Sequence, residues 1–95
     1  MTIYNLEICE ESLLNDPILT FELTDAPNIN IGEKILHAWN NTYLNSIHDY
    51  FSDNLQLNKN DFSISVIDKG HYFQESAESN LSVHTTRIIV KAIEN

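Results

Sequence analysis

Few residues of this chain could hold a metal or move a proton: His37, His48, His71, His84, the single thiol Cys9, and the adjacent carboxylates Glu10 and Glu11. His37 and His48 are eleven residues apart, three turns of a helix, so they share a face. They lie about 16 Å apart along the axis, whereas a shared metal needs about 2 Å to each ligand. They read as two solvated histidines on a polar helix face. His71 and His84 approach each other if a hairpin turns near Ala77–Glu78. A metal there needs a third ligand, such as Glu75 or Glu78; without one the pair is a contact that weakens near the histidine pKa of about 6.5. Glu10 and Glu11, as neighbours in extended chain, point apart and form no proton-sharing dyad. Gly32 and Gly70 are the only glycines, so there is no phosphate cradle, and no serine sits in a glycine-flanked strand-to-helix elbow. One cysteine permits no intramolecular disulfide and no multi-thiolate zinc site, and Cys9 reads as an apolar filler at a strand end. The chain is therefore expected to be no enzyme, with no catalytic residue, cofactor or metal.

Charge is the stronger signal. The net charge is −9 on 95 residues, and residues 1–54 hold nine acids against Lys34 alone, while residues 55–95 nearly balance. Such a field opposes docking to nucleic acid or anionic lipid and speeds encounter with a basic partner. Five basic residues cannot line the aromatic, cationic groove of a single-strand binder, which excludes direct nucleic-acid binding. Acidity alone also serves solubility. What points to function is placement: Glu7, Glu10, Glu11, Asp16, Glu22 and Asp25 fall in the first hairpin and its flanks, with no lysine or arginine before Lys34. Tyr72 and Phe73, followed by Gln74 and Glu75, add an aromatic pair of the kind that anchors interfaces, unless it folds back over the sheet end. These eight are the candidate partner-binding residues.

The elements that must position them follow from periodicity. Tyr4, Leu6 and Ile8 alternate over Thr2–Ile8, and Leu19, Phe21 and Leu23 alternate over Ile18–Thr24, giving two strands joined through Asn15-Asp16-Pro17. Asn30 with Glu33 has capping-box spacing, and Ile35, Trp39, Tyr43, Ile47 and Tyr50/Phe51 then form one apolar stripe. That pattern predicts a helix from about Ile31 to about Asp53, about 33 Å long. Lys34, His37, Asn41, Asn45, His48 and Ser52 make its polar face. Period two returns in Phe62, Ile64 and Val66, and again over Leu81–Ile93, so residues 61–93 read as one long hairpin with a bulge or kink at Gly70.

The order strand, strand, helix, strand, strand predicts a single α+β domain over residues 1–95: a four-stranded antiparallel sheet with one long amphipathic helix packed on one face. Ile3, Ile67, Ile89 and Ile93 fall on the uncovered side. The opening MTIYNLEICEE has no basic or apolar leader pattern, and no apolar run nears the ~18–20 residues that span a bilayer, so no membrane association and a reducing cytoplasm are expected.

Two functional expectations result. In the first, the chain is a small acidic, non-catalytic binder that occludes a basic, nucleic-acid-handling surface of a partner protein such as a nuclease or toxin. Immunity proteins, antitoxins and phage-encoded anti-defence inhibitors of the anti-CRISPR kind act this way; the comparison rests on size, charge and the lack of catalytic motifs. In the second, it is a structural or assembly protein, a homo-oligomer such as a homodimer or a complex subunit, joined through its open sheet face or through strand 81–93 as an edge.

Overall fold

In the computed structural model, the Tyr4-Leu6-Ile8 alternation forms β1 (Thr2–Cys9) and the Leu19-Phe21-Leu23 alternation forms β2 (Leu19–Leu23). The two pair antiparallel, with Tyr4 opposite Leu23, Leu6 opposite Phe21 and Ile8 opposite Leu19. All six apolar residues therefore share one face. The structure describes residues 1–35, 42–58, 60–76 and 78–94, with the backbone only for residues 42–44. The remaining elements are β3 (Lys34–Ile35), α1 (Thr42–Leu55), β4 (Phe62–Ser76) and β5 (Leu81–Glu94).

The sheet is not the expected four-stranded antiparallel one. It has five strands in the order β2-β1-β5-β4-β3, is curled, and is mixed: β1 runs parallel to β5, from Thr2 opposite Ser82 to Cys9 opposite Ile89. A parallel neighbour requires a long crossover, which the whole of residues 10–80 supplies. The long β4–β5 hairpin does form, so β5 lies between β4 and β1 over most of its length and is no edge strand there.

The expected helix is also corrected. Within the described residues it is short, Thr42–Leu55, and Lys34–Ile35 is strand. The Asn30–Glu33 spacing closes a turn instead of capping a helix: Asn30 Nδ2 donates to Glu33 Oε1 at 2.8 Å. Gly32 there has φ 88°, incompatible with a right-handed helix. The Gly32 N–H then donates to the Val66 carbonyl and the Val66 N–H to the Glu33 carbonyl, both at 2.9 Å, which docks the segment onto β4. Trp39 and His37 lie outside the described residues, as does the Tyr43 side chain. At its other end α1 stops in a left-handed residue, Gln56 (φ 54°), and the Leu57 N–H returns to the Ser52 carbonyl at 3.2 Å. That is the 6→1 bond of a Schellman motif.

Ile47 and Phe51 of α1 pack against Leu6, Ile8, Ile64, Val66, Ile88 and Val90 on one sheet face. His48 is buried with them, 1% exposed, its ring 6.0 Å from that of Phe62. It is not on the solvated face expected, because the buried stripe is wide enough to include the residue next to Ile47. Among the described residues no helix is long and apolar enough to cross a membrane.

Candidate functional site

The register of β4 decides which side chains meet. Its pairing with β5 shifts by one residue between Val66 and Asp68, so the bulge lies at Ile67 and not at Gly70. One extra residue reverses the alternation. Before it Phe62, Ile64 and Val66 face the helix; beyond it Lys69, His71, Phe73 and Glu75 continue that face, opposite Ile88, Thr86, His84 and Ser82. Tyr72 is sent to the other side. The expected aromatic pair is thus divided between the two faces.

On the helix side, beyond the reach of α1, the divided register assembles a ring cluster. Phe73 stacks on His84 with centroids 4.5 Å apart and His71 stacks on Phe73 at 6.0 Å, while Tyr4 meets His84 edge-on at 5.8 Å. His71 Nδ1 and His84 Nε2 lie 2.9 Å apart and share one hydrogen bond; Thr86 Oγ1 is 3.4 Å from the same Nδ1. The proximity expected of the two histidines is therefore real. The part of the His71 ring packed in the cluster loses water, which lowers its pKa below 6.5, and the neighbouring charges of His84 and Lys69 lower it further. Phe73 remains 73% exposed. Among the described residues no group of three His, Cys, Asp or Glu side chains is placed to hold a metal.

On the opposite face Arg87 is the organising residue. Its Nε donates to Glu7 Oε1 at 2.8 Å, and its Nη1 donates to the carbonyls of Leu13 at 2.9 Å and Asn15 at 3.2 Å. The guanidinium lies 4.8 Å from the centroid of the Tyr72 ring, which is 43% exposed. Arg87 and Glu7 are 18% and 17% exposed. The hydrogen bond to Glu7 raises the Arg87 pKa further. A shallow groove runs here between Asn5, Glu7, Tyr72, Gln74, Val83, Thr85 and Arg87. Its one cation is already matched by Glu7, which leaves no free positive charge for an anionic ligand. The loop held by Arg87 crosses the face close above Gly70: a Cβ on that glycine would lie 3.1 Å from Leu13 Cδ1. Cys9 is buried at the end of β1, and burial pushes its thiol pKa up, with Glu7 adding and Arg87 opposing.

The six candidate acids do not converge on one spot. Glu7 is paired with Arg87 and also accepts from Thr20 Oγ1 at 3.5 Å. Glu22 lies on the same face as Glu7, on edge strand β2. Glu10, Glu11 and Asp16 follow the end of β1, with Glu10 and Glu11 beside Lys91, Phe51 and Leu55. Asp25 follows the far end of β2. The length of β2, about 13 Å, separates Asp25 from the carboxylates near Leu19's end. All except Glu7 are exposed, and none of these five has a cation partner among the described residues. Sequence reasoning found the His71–His84 approach but not the parts played by Tyr4 and Arg87. The even spacing of His84, Thr86 and Ile88 was a signal for a shared face, but only the bulge shows which β4 residues join it. Compared with protein families, with curated proteins and with solved structures, the chain matches none.

Proposed function

We propose that this chain is a small acidic, non-catalytic binding protein that occludes a basic, nucleic-acid-handling surface of a partner protein. The observation that supports it is the set of exposed carboxylates, Glu10, Glu11, Asp16, Glu22 and Asp25, that form no ion pair among the described residues. Acids so placed accelerate encounter with lysines and arginines, while apolar anchors set the dissociation rate. Of the two aromatic candidates, Phe73 offers the larger free surface; Tyr72 is engaged by Arg87. We assign the activity to a reducing cytoplasm, in keeping with a single free and buried thiol.

The test is kinetic. A partner captured from the native host is purified and its association rate is measured at rising salt. The rate is expected to fall markedly between low and physiological ionic strength, and to fall again for the double variant Glu10→Lys, Glu11→Lys, whose exposed positions leave the fold intact. An association rate indifferent to salt removes electrostatic steering as the mechanism.

A further inference from the structure

The two sides of the sheet end differently. On the acidic side β2 is a five-residue edge bordered by carboxylates that form no ion pair among the described residues. Short, charged edges of this kind resist pairing with another chain. The other side is left open. β3 covers β4 only at Ile64 and Ser65, the Gly32–Glu33 segment reaches Val66, and Lys69 Nζ touches Asn30 Oδ1 at 3.4 Å. From Gly70 to Ser76 β4 has β5 on one side and, among the described residues, nothing on the other. This free stretch carries one carboxylate, Glu75, and no lysine or arginine, and it lies three strand spacings, about 14 Å, from the acidic edge.

We propose that this free edge is a self-pairing surface, on which a second copy of the chain adds its own β4 antiparallel about a two-fold axis at Phe73. Three features fix the occupant and the register. The open stretch Gly70–Ser76 has Phe73 at its midpoint, so pairing about that residue uses all of it without meeting the Asn30 segment. Phe73 is the most exposed large apolar side chain of any strand, and pairing about it places it opposite Phe73 of the second copy. The same register sets Glu75 opposite His71 of the second copy, and Tyr72 opposite Gln74, so no like charges face each other. The product is a continuous sheet of eight strands in line, β2-β1-β5-β4 and its copy, with the two β3 strands flanking the seam, both helices on one face and both acidic edges at its outer limits. The acidic borders would remain free for a basic partner, while Phe73 would be taken up by the second copy and could not also anchor that partner; the opposite salt responses given below tell the two interactions apart.

Sedimentation equilibrium of the full chain, across a hundredfold range of concentration, is expected to show a reversible dimer. Raised salt leaves it intact or tightens it by screening the net charge of −9, the reverse of its effect on capture of a basic partner. Phe73→Asp places two carboxylates face to face and is expected to weaken self-association at least roughly tenfold. The register is read by oxidative cross-linking. An equimolar mixture of Tyr72→Cys and Gln74→Cys chains should form the mixed disulfide in preference to either homodimer. Glu75→Cys, whose own copy lies about 13 Å away, should form none. Cys9 is fully buried and does not compete. All four positions are exposed, and circular dichroism confirms that each variant is folded. A monomer at every concentration overturns the proposal. So does a dimer that Phe73→Asp leaves unchanged, or one in which the mixed disulfide is not favoured.

Discussion

Replacing Arg87 by Met should be among the most damaging single changes outside the apolar core. Met keeps much of the length and apolar stem but loses every polar contact. The bond to Glu7 joins two side chains that are less than one-fifth exposed. A charge-assisted hydrogen bond so placed contributes about 1.5–3 kcal/mol, more than an exposed pair at about 0–1 kcal/mol. The bonds to the Leu13 and Asn15 carbonyls and the stacking on Tyr72 add to it, the last by about 0.5–1 kcal/mol. Since these contacts share one side chain and are not additive, the expected loss is about 3 kcal/mol. For a domain of this size that lowers Tm by roughly 12–24 °C. The assay is urea and thermal denaturation followed by circular dichroism, on Arg87→Met, Glu7→Gln and the double variant. The two single changes should couple by about 2 kcal/mol, and the loop after β1 should become a site of proteolytic nicking. A coupling below about 0.5 kcal/mol, or a loop as resistant as before, would show that Arg87 neither relies on Glu7 nor holds the loop.

Two smaller effects test other parts of the fold. Gln56→Gly removes a side chain from the left-handed position that ends α1; it should raise stability by about 0.5–1 kcal/mol in the same denaturation assay, with helix content unchanged. His71 has a folded-state pKa below its unfolded value, so the fold favours its neutral form. The stability this provides is complete above pH 6.5 and is lost as the pH falls through the lower folded pKa. Chemical denaturation at successive pH values should show the native chain losing more stability between pH 7 and pH 5 than His71→Gln does; equal losses would place the titration elsewhere.

The local strands were legible because a half-buried strand must alternate: Leu6 and Ile8, Leu19 and Phe21, and Ile64 and Val66 all sit as their spacing requires. So was the β4–β5 hairpin. The partner of β1 was not, since nothing in Thr2–Cys9 distinguishes a parallel neighbour eighty residues away from an antiparallel one nearby. The Asn30–Glu33 signal was misleading for a physical reason: the same side-chain bond serves a helix start or a tight turn, and Gly32 admits the turn. The candidate surface suffered most from the unseen bulge. A single inserted residue at Ile67 exchanged the faces of everything after it, which separated Tyr72 from Phe73 and gave His71 the place beside His84. The acids were visible as a group, but Glu7 was spent on a cation from the other end of the chain.

The parallel seam between β1 and β5 also bears on how the molecule is made. Its central ladder joins Thr2 to Ser82 and Cys9 to Ile89, so the opening strand waits without its permanent neighbour until almost the whole ladder has been synthesised. Assembly dominated by such distant pairings is slow. During that delay β1 has only β2 beside it, and like charge on the carboxylates around that pair opposes adhesion between unfinished chains.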